Sequence, residues 1–467
     1  MDAQPPLPDD LWVRTPSDVQ AAILALVQTF EQRIAALEAR LNRNSSNSSR
    51  PPSAEPLHVK RQPPRPASGK RRGGQPGHER RVRELVPAEQ LTGSVEIKPH
   101  SCTGCGHALD GHDPEPTRHQ VADLPEVRPE VIEYRLHRLT CPGCGAATRA
   151  KLPGDVPRGA FGPRLQAWAG LLSGAYRLSK RQVQRLFADL LGVSISTGMV
   201  AKLQRQAGEI LADPMAEIVQ AVRRAEAVHV DETGWREAGK KAWLWVGVAS
   251  KATAFGVHRS RGHDALEALL GEDLGRDQVI ISDRFPTYAR APKRQLCWAH
   301  LRRDMQAMID RASGGESVGR RLLDQSRWVF TWWRRLGEGS IARTTLRSYV
   351  AGLKGVVGLL LREGSRCGCS WTAKVCRKIL EDERHLWTFA EVEGVAPDNN
   401  AAERALRHGV IWRKLSLGTA SEAGSRFVAR LLSVIETCRQ RGRNVAAYLT
   451  ACFMAKRTGQ PIPSPLT

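Results

Sequence analysis

The stretch VHVDETGWREAGKKAWLWVGVASKATAFGVH, residues 228–258, decides the fold class. AVHVD, KAWLWVGVA and TAFGVH are β-rich runs, separated by short turns carrying Gly, Lys and Ser. Toward the C-terminus follow a helical stretch, His263–Leu270, a fourth run, QVIISD at 278–283, and a fifth, QLCWAH at 295–300. This β-β-β-α-β-x-β order predicts a mixed sheet with helices, an α/β layer. Residues 301–393 are then helical and basic in pattern and read as a helical insertion. Residues 398–456 are again helix-dominated, and TGQPIPSPLT reads as a disordered tail.

Working toward the N-terminus, 161–211 is helical. Ser179 caps a helix through Val183, Leu186, Phe187 and Leu190 that Gly192 ends; after VSIS, Thr197 starts another with Met199, Val200 and Leu203. Two short helices about a Gly-containing turn suit a DNA-reading helix-turn-helix, and equally any small helical domain. Further upstream, Ser17 and Gln20 form a capping-box pattern. Ile23, Val27, Phe30, Ile34, Leu37 and Leu41 then recur in steps of four and three, which predicts a coiled-coil helix over 17–41. Between this helix and the next ordered segment, 42–83 reads as a linker. Its first part, NRNSSNSSRPPS, has little apolar area to bury. Its second holds ten Lys/Arg against two acids from Arg50 to Arg83. KRRGGQPGH within it suits either a solvated tail or an arm along phosphates, with Lys70, Arg71 and Arg72 the candidate contacts.

The net charge of the 467-residue chain is +22, which excludes an acidic, ion-buffering protein and favours a polyanionic partner. An apolar fraction of 41% is enough for several cores. The most apolar stretches, Ala167–Tyr176 and Ala242–Ala249, fall far short of the roughly 20 residues needed to cross a bilayer. MDAQPPLPDD lacks the pattern of a signal peptide. The expectation is a cytoplasmic protein with no membrane partner, whose ten cysteines are thiols or metal ligands.

Four of those cysteines form two copies of a C-x2-C-G knuckle, Cys102/Cys105 and Cys141/Cys144, within 84–155. Two intervening residues let both sulfurs face one centre, and the glycines permit a left-handed turn. Four thiolates of this kind predict a closed structural Zn²⁺ site. His100, His107 and His112 are possible substitutes for one ligand. Cys367, Cys369 and Cys376 lack a fourth.

Asp231 closes the first predicted strand, Asp283 closes the fourth, and Glu403 opens a helix in DNNAAERALR. Three carboxylates converging from strand ends and a helix start would bind a pair of Mg²⁺ ions for phosphodiester chemistry. The alternatives are turn-forming aspartates and a capping-box Glu403 with Asn400 as N-cap, while Glu232 and Asp398 are rival acids. His300, Arg302 and Arg303 lie at the end of the fifth run. Arg404, Arg407, Arg413 and Lys414 follow Glu403, and all read as either phosphate contacts or surface ion pairs.

Taken in order, LNRNSSNSSRPPS, GGQPGH, the twin knuckles, HVDETGW, SDRFPTYA, CWAHLRRD, DNNAAERALR and IWRKLSLGTASEAGSRF resemble the insertion sequence 66 family of bacterial transposases. The resemblance runs from Leu24 to about Tyr448. It implies a multidomain chain with a ribonuclease-H-like α/β catalytic domain over 225–300 and 394–456, interrupted by the helical insertion. It places an Asp-Asp-Glu triad at Asp231, Asp283 and Glu403, with a four-cysteine zinc domain and a zipper-like helix before it. The implied function is a DNA transposase that binds the ends of its element, cleaves and joins them in a Mg²⁺-dependent reaction, acts as a homodimer or larger assembly on double-stranded DNA, and travels with small accessory proteins. A zinc-containing DNA-binding regulator and a ribonuclease-H-type nuclease are the competing functions.

Overall fold

The computed structural model describes residues 8–43, 48–49, 84–272 and 278–467. The basic arm, with Lys70, Arg71 and Arg72, lies outside the described residues.

Helices α1 (Asp9–Arg14) and α2 (Ser17–Leu41) come first. The capping box expected at Ser17 does not form. Gln20 instead donates through Nε2 to the Trp12 carbonyl (2.6 Å), which also accepts from the Thr15 amide (3.1 Å) at the end of α1. Phe30, Ile34, Leu37 and Leu41 of the heptad seam are all exposed.

The knuckle segment follows, with one small ladder between β1 (Arg138–Thr140) and β2 (Ala147–Arg149). Next come α3 (Pro163–Gly174), α4 (Lys180–Leu191), α5 (Thr197–Ile210) and α6 (Ala212–Arg223). As expected, Ser179 caps α4, Gly192 closes it at φ +63° and Thr197 starts α5; the structure adds Gln182, which completes a capping box with Ser179, and Ser196, which caps α5. Val183, Phe187, Leu191, Val200 and Leu203 form a small core, while Leu190, expected on that face, is exposed. The α5 helix is not free-standing. Gly208 lets it approach Phe427, and Arg430 donates to the Gly208 carbonyl (2.7 Å).

The central sheet comprises β3 (Ala227–Glu237), β4 (Lys240–Val248), β5 (Thr253–His258), β6 (Val279–Ser282) and β7 (Arg294–Leu296), in the order β5-β4-β3-β6-β7. The first three pair antiparallel, and β6 and β7 run parallel to β3. Two strand readings need correction. β3 does not stop at Asp231: the antiparallel ladder with β4 carries it on to Glu237. QLCWAH is strand only to Leu296; Cys297 then N-caps α8 (Trp298–Asp310), which puts His300 in a helix.

The α6 helix and α7 (His263–Leu270) cover the sheet face where Gly247 makes room for Val222 and Leu269. The opposite face is covered by α13, described below. Beyond α8 come α9 (Glu316–Gly337), α10 (Arg343–Gly364), α11 (Ser370–Glu381) and α12 (Thr388–Glu391). They build a second core with Ile281, Leu296 and Trp298 at the β7 side of the sheet.

The chain returns as α13 (Asn400–Ser416), α14 (Glu422–Gln440) and α15 (Val445–Thr458). α13 lies tight on the sheet because Gly409 has no side chain to meet Leu244. α14 shields edge strand β5: Ser433 and Thr437 hydroxyls accept from the Phe255 and Thr253 amides (2.8 and 3.1 Å). The C-terminal tail is ordered, contrary to expectation. Arg443 donates to the Ser464 carbonyl and Tyr448 to that of Pro463 (both 2.8 Å), while Ile462 and Leu466 pack on the main core. Its two apolar side chains and rigid prolines make ordering inexpensive.

Candidate active site

Parallel pairing of β3 with β6 ends at His229–Ile281. Continuing that register by two residues sets Asp231 level with Asp283, on neighbouring chain segments. Asp283 Oδ1 accepts from the Phe285 amide (2.8 Å) and Asp231 Oδ1 from the Glu232 amide (2.9 Å), which fixes both carboxylates near the backbone. Glu403 arrives one turn into α13. Its side chain is 40% exposed and lies 3.7 Å from both His300 Nε2 and Arg303 Nη2.

The helix that carries Glu403 is placed by a residue the sequence reading passed over. Asn399, not Asn400, is the N-cap position, and its side chain caps nothing. It is buried, donates through Nδ2 to the Val230 carbonyl (2.8 Å), and sits 3.2 Å from His229 Nδ1. Its backbone amide donates to Cys297 Sγ (3.1 Å). One asparagine thus joins β3, the start of α8 and the start of α13. The doubled Asn in DNNAAER was the available signal. With Asn400 inside the helix, the capping-box reading of Glu403 fails.

The rival acids are otherwise engaged. Glu232 is buried on the opposite sheet face, where it accepts from Arg261 Nε (2.8 Å) and from the Tyr288 hydroxyl. The Arg261 guanidinium is stacked between Phe285 (3.8 Å) and Trp243 (4.7 Å). This clamp ties β3 to the connector just after Asp283. Asp398 Oδ1 accepts from the Asn400 amide (3.0 Å) and shapes the turn into α13.

Electrostatically, burial dominates the three acids. Burial, then the Glu232 charge, with Asp283 and Glu403 adding, hold the Asp231 carboxyl well above its usual range. Burial also raises Asp283 and Glu403, although Arg261, Arg284 and Arg303 oppose it at Asp283, and Arg303 does so at Glu403. Hard-oxygen donors whose charged form is disfavoured chiefly by burial are an environment that a divalent cation relieves. Burial, with Arg303 and Arg284 nearby, pushes the His300 imidazole down to about 4, so it is neutral at pH 7.

The basic candidates divide. Arg404, Arg407 and Lys414 are exposed. Arg413 is committed to the fold, with Nη1 donating to the Gly234 carbonyl (2.6 Å) and Thr233 Oγ1 (3.2 Å).

The two knuckles repeat one geometry. The Gly106 amide donates to the Cys102 carbonyl (2.8 Å) and Gly145 to Cys141 (2.9 Å), with φ +74° and +70° at the two glycines. Backbone amides of Gly104 and Cys105 lower the Cys102 thiol, and those of Gly143 and Cys144 lower Cys141, each arrangement favouring thiolate. Among the described residues no three His, Cys, Asp or Glu side chains close on one point as a finished metal cage. The cysteines therefore stand as two preformed pairs. Among the described residues, no helix is long and apolar enough to cross a membrane.

Residues 158–426 match the Transposase IS66 family, and residues 99–145, which hold all four knuckle cysteines, match the zinc-finger binding domain of transposase IS66. Residues 5–84 match a family of unknown function. Two uncharacterized proteins of Sinorhizobium fredii are similar along most of their length. One, y4qI, is 26% identical over 425 residues, covering 84% of this chain and 75% of the relative. The other, y4hP, is 25% identical over 424 residues, covering 82% and 75%.

Proposed function

From the premise that the chain belongs to the IS66 transposase family, we propose that it is an Asp-Asp-Glu enzyme that cleaves the ends of its own element and joins them to target DNA. The observation that carries this reading is the register that sets Asp231 of β3 level with Asp283, the residue just past the end of β6, with Glu403 carried nearby on α13. The strand order β5-β4-β3-β6-β7, with an antiparallel meander followed by two parallel strands, supports a ribonuclease-H-like reading of the catalytic layer.

Asp231, Asp283 and Glu403 would hold two Mg²⁺ ions, which when bound activate the attacking oxygen and stabilise the leaving one. The chain's own groups do the rest. Asn399 keeps Glu403 in reach of the aspartates. Arg303 and the exposed Arg404 and Arg407 lie where phosphates approach. Neutral His300 is available for a hydrogen bond rather than a charge. The match to the zinc-finger domain supports Zn²⁺ on Cys102, Cys105, Cys141 and Cys144. Lying just before α3, α4 and α5 in the sequence, that domain is our candidate reader of end sequences on duplex DNA. The exposed seam of α2 supports self-association, which brings two ends together; Ile34→Asp should then lower the mass seen in sedimentation. Small accessory proteins of the element join this assembly in our reading, in a cytoplasmic setting.

The deciding experiment is Mg²⁺-dependent cleavage and joining of labelled element ends. Glu403→Gln should keep end binding and lose at least ~10³-fold in both reactions. Joining at the wild-type level by that variant would overturn the assignment.

A further inference from the structure

The motif IWRKLSLGTASEAGSRF is only partly used by the site above, and its middle packs against the far end of the β3–β4 hairpin. The Thr419 amide donates to the Arg236 carbonyl (2.9 Å) and the Ala238 amide to that of Thr419 (2.8 Å). Gly418, at φ +114°, has no room for a Cβ against the Arg236 backbone. The loop is therefore seated firmly on the strand. Beside it opens a cleft of about 450 Å³ whose charged lining is Arg236, Lys241, Arg413 and Lys414, with no acid among the lining residues. Glu237, the nearest acid along the hairpin, is buried and taken by Arg259 (2.6 Å).

Lys241 and Lys414 are both exposed, and neither forms an ion pair among the described residues. Lys241 lies 5.3 Å from the Trp243 ring centre. Arg236 is exposed, with Nη1 steadied by the Gly239 carbonyl (2.9 Å). On the rim stands Leu417, 75% exposed and at φ +58°, a conformation that glycine would adopt at less cost. A row of unpaired cations beside an outward-held apolar side chain suits a polyanion that also offers apolar surface, as a nucleic-acid backbone does with its sugars.

We propose that this cleft is a second seat for duplex DNA, separate from the catalytic acids. It rests on the reading of the chain as acting on DNA. Arg236 follows Asp231 by five residues of continuous strand, so their backbones are about 17 Å apart along β3 and their side chains leave opposite faces, Arg236 at the strand end where the cleft wraps round it. A duplex laid along β3 would present to the cleft a phosphate roughly five base pairs from the one being cut, at about 3.4 Å per step. Lys241 and Lys414 bind that backbone and Leu417 rests on its sugars.

The test is salt-dependent binding of the full chain to a random-sequence duplex. Lys241→Ala/Lys414→Ala should weaken binding about tenfold and reduce the slope of log K against log salt by about 1–2. Lys251→Ala/Lys378→Ala removes equal charge elsewhere and should stay near wild type. Duplexes trimmed toward the cleavage point from either side should lose affinity for the wild type as one side falls below about five base pairs, while the cleft variant should be indifferent to trimming. An unchanged slope, an equal effect of the control pair, or a change in oligomeric mass without a change in DNA affinity would each overturn the proposal. Failure of wild-type protein to cleave would bear on the catalytic reading alone, because the binding assay needs no chemistry.

Discussion

Between residues 99 and 145 no side chain is buried, whereas in the five-stranded layer Val228, Val230, Leu244, Val246, Phe255 and Ile280 are each fully enclosed. The knuckle segment is held by a three-residue ladder, one isolated bridge and the turns around its thiols. The sheet is held by apolar burial on both faces and by helix side chains on its edge. The two regions thus draw on different sources of stability: a ligand for one, the chain's own hydrophobic surface for the other.

Metal removal should break the comparison most visibly. Chelation, or Cys141→Ser, should release about one zinc per chain and open residues 99–145 to proteolysis, while melting of the sheet domain stays unchanged. Loss of both together would mean that the segment is part of the larger core.

Within the sheet, Gly409→Ala should cost about 3 kcal/mol in chemical unfolding, because the new methyl collides with Leu244 and α13 must lift. Activity should fall alongside, since Glu403 rides on that helix. Tyr288→Phe should cost less, about 1–2 kcal/mol, by leaving one oxygen of buried Glu232 without its donor. The same measurement decides whether the Glu232 clamp matters to the fold.

The smallest effect is one of pH. With the Asp231 carboxyl held above its usual range, the folded chain keeps this proton at a pH where the unfolded chain has lost it. The group's stabilising effect is fullest below about 3.9, the unfolded value, and declines as pH rises through the raised folded value. Metal-free Asp231→Asn should therefore gain in melting temperature over wild type as pH rises from about 4 toward 8. A constant difference across that range would count against the crowded-acid picture.

Much of this was legible because local chemistry acted alone. Ser179 and Gly192 bound α4 through contacts within a few residues. Readings failed where a distant partner decided the outcome. Asp231 read as a strand end because Thr233 and Gly234 look like a turn, yet β4 pairs with β3 to Glu237. Asn400 read as the cap because nothing local shows that the neighbouring Asn399 reaches Val230, 169 positions away. The tail read as disordered because Arg443 and Tyr448, which hold it, announce no such role. The clamp on Glu232 brings together Arg261 and Tyr288 from two separate segments, which periodicity does not connect.

The insertion between β7 and α13 also has a consequence in time. Asp283 leaves the ribosome 120 residues before Glu403, a delay of roughly 6–24 s at common rates of synthesis. Through that interval the nascent chain holds two of its three acids and an uncovered sheet face around Leu244. A message cut short within the insertion would thus yield a protein that keeps the knuckle cysteines but lacks Glu403, and lacks as well the α14 residues Phe427 and Arg430 against which α5 packs. Under the function proposed above, such a fragment would lack both the third acid and the support of its upstream helices, so a broken copy of the gene would add no working enzyme.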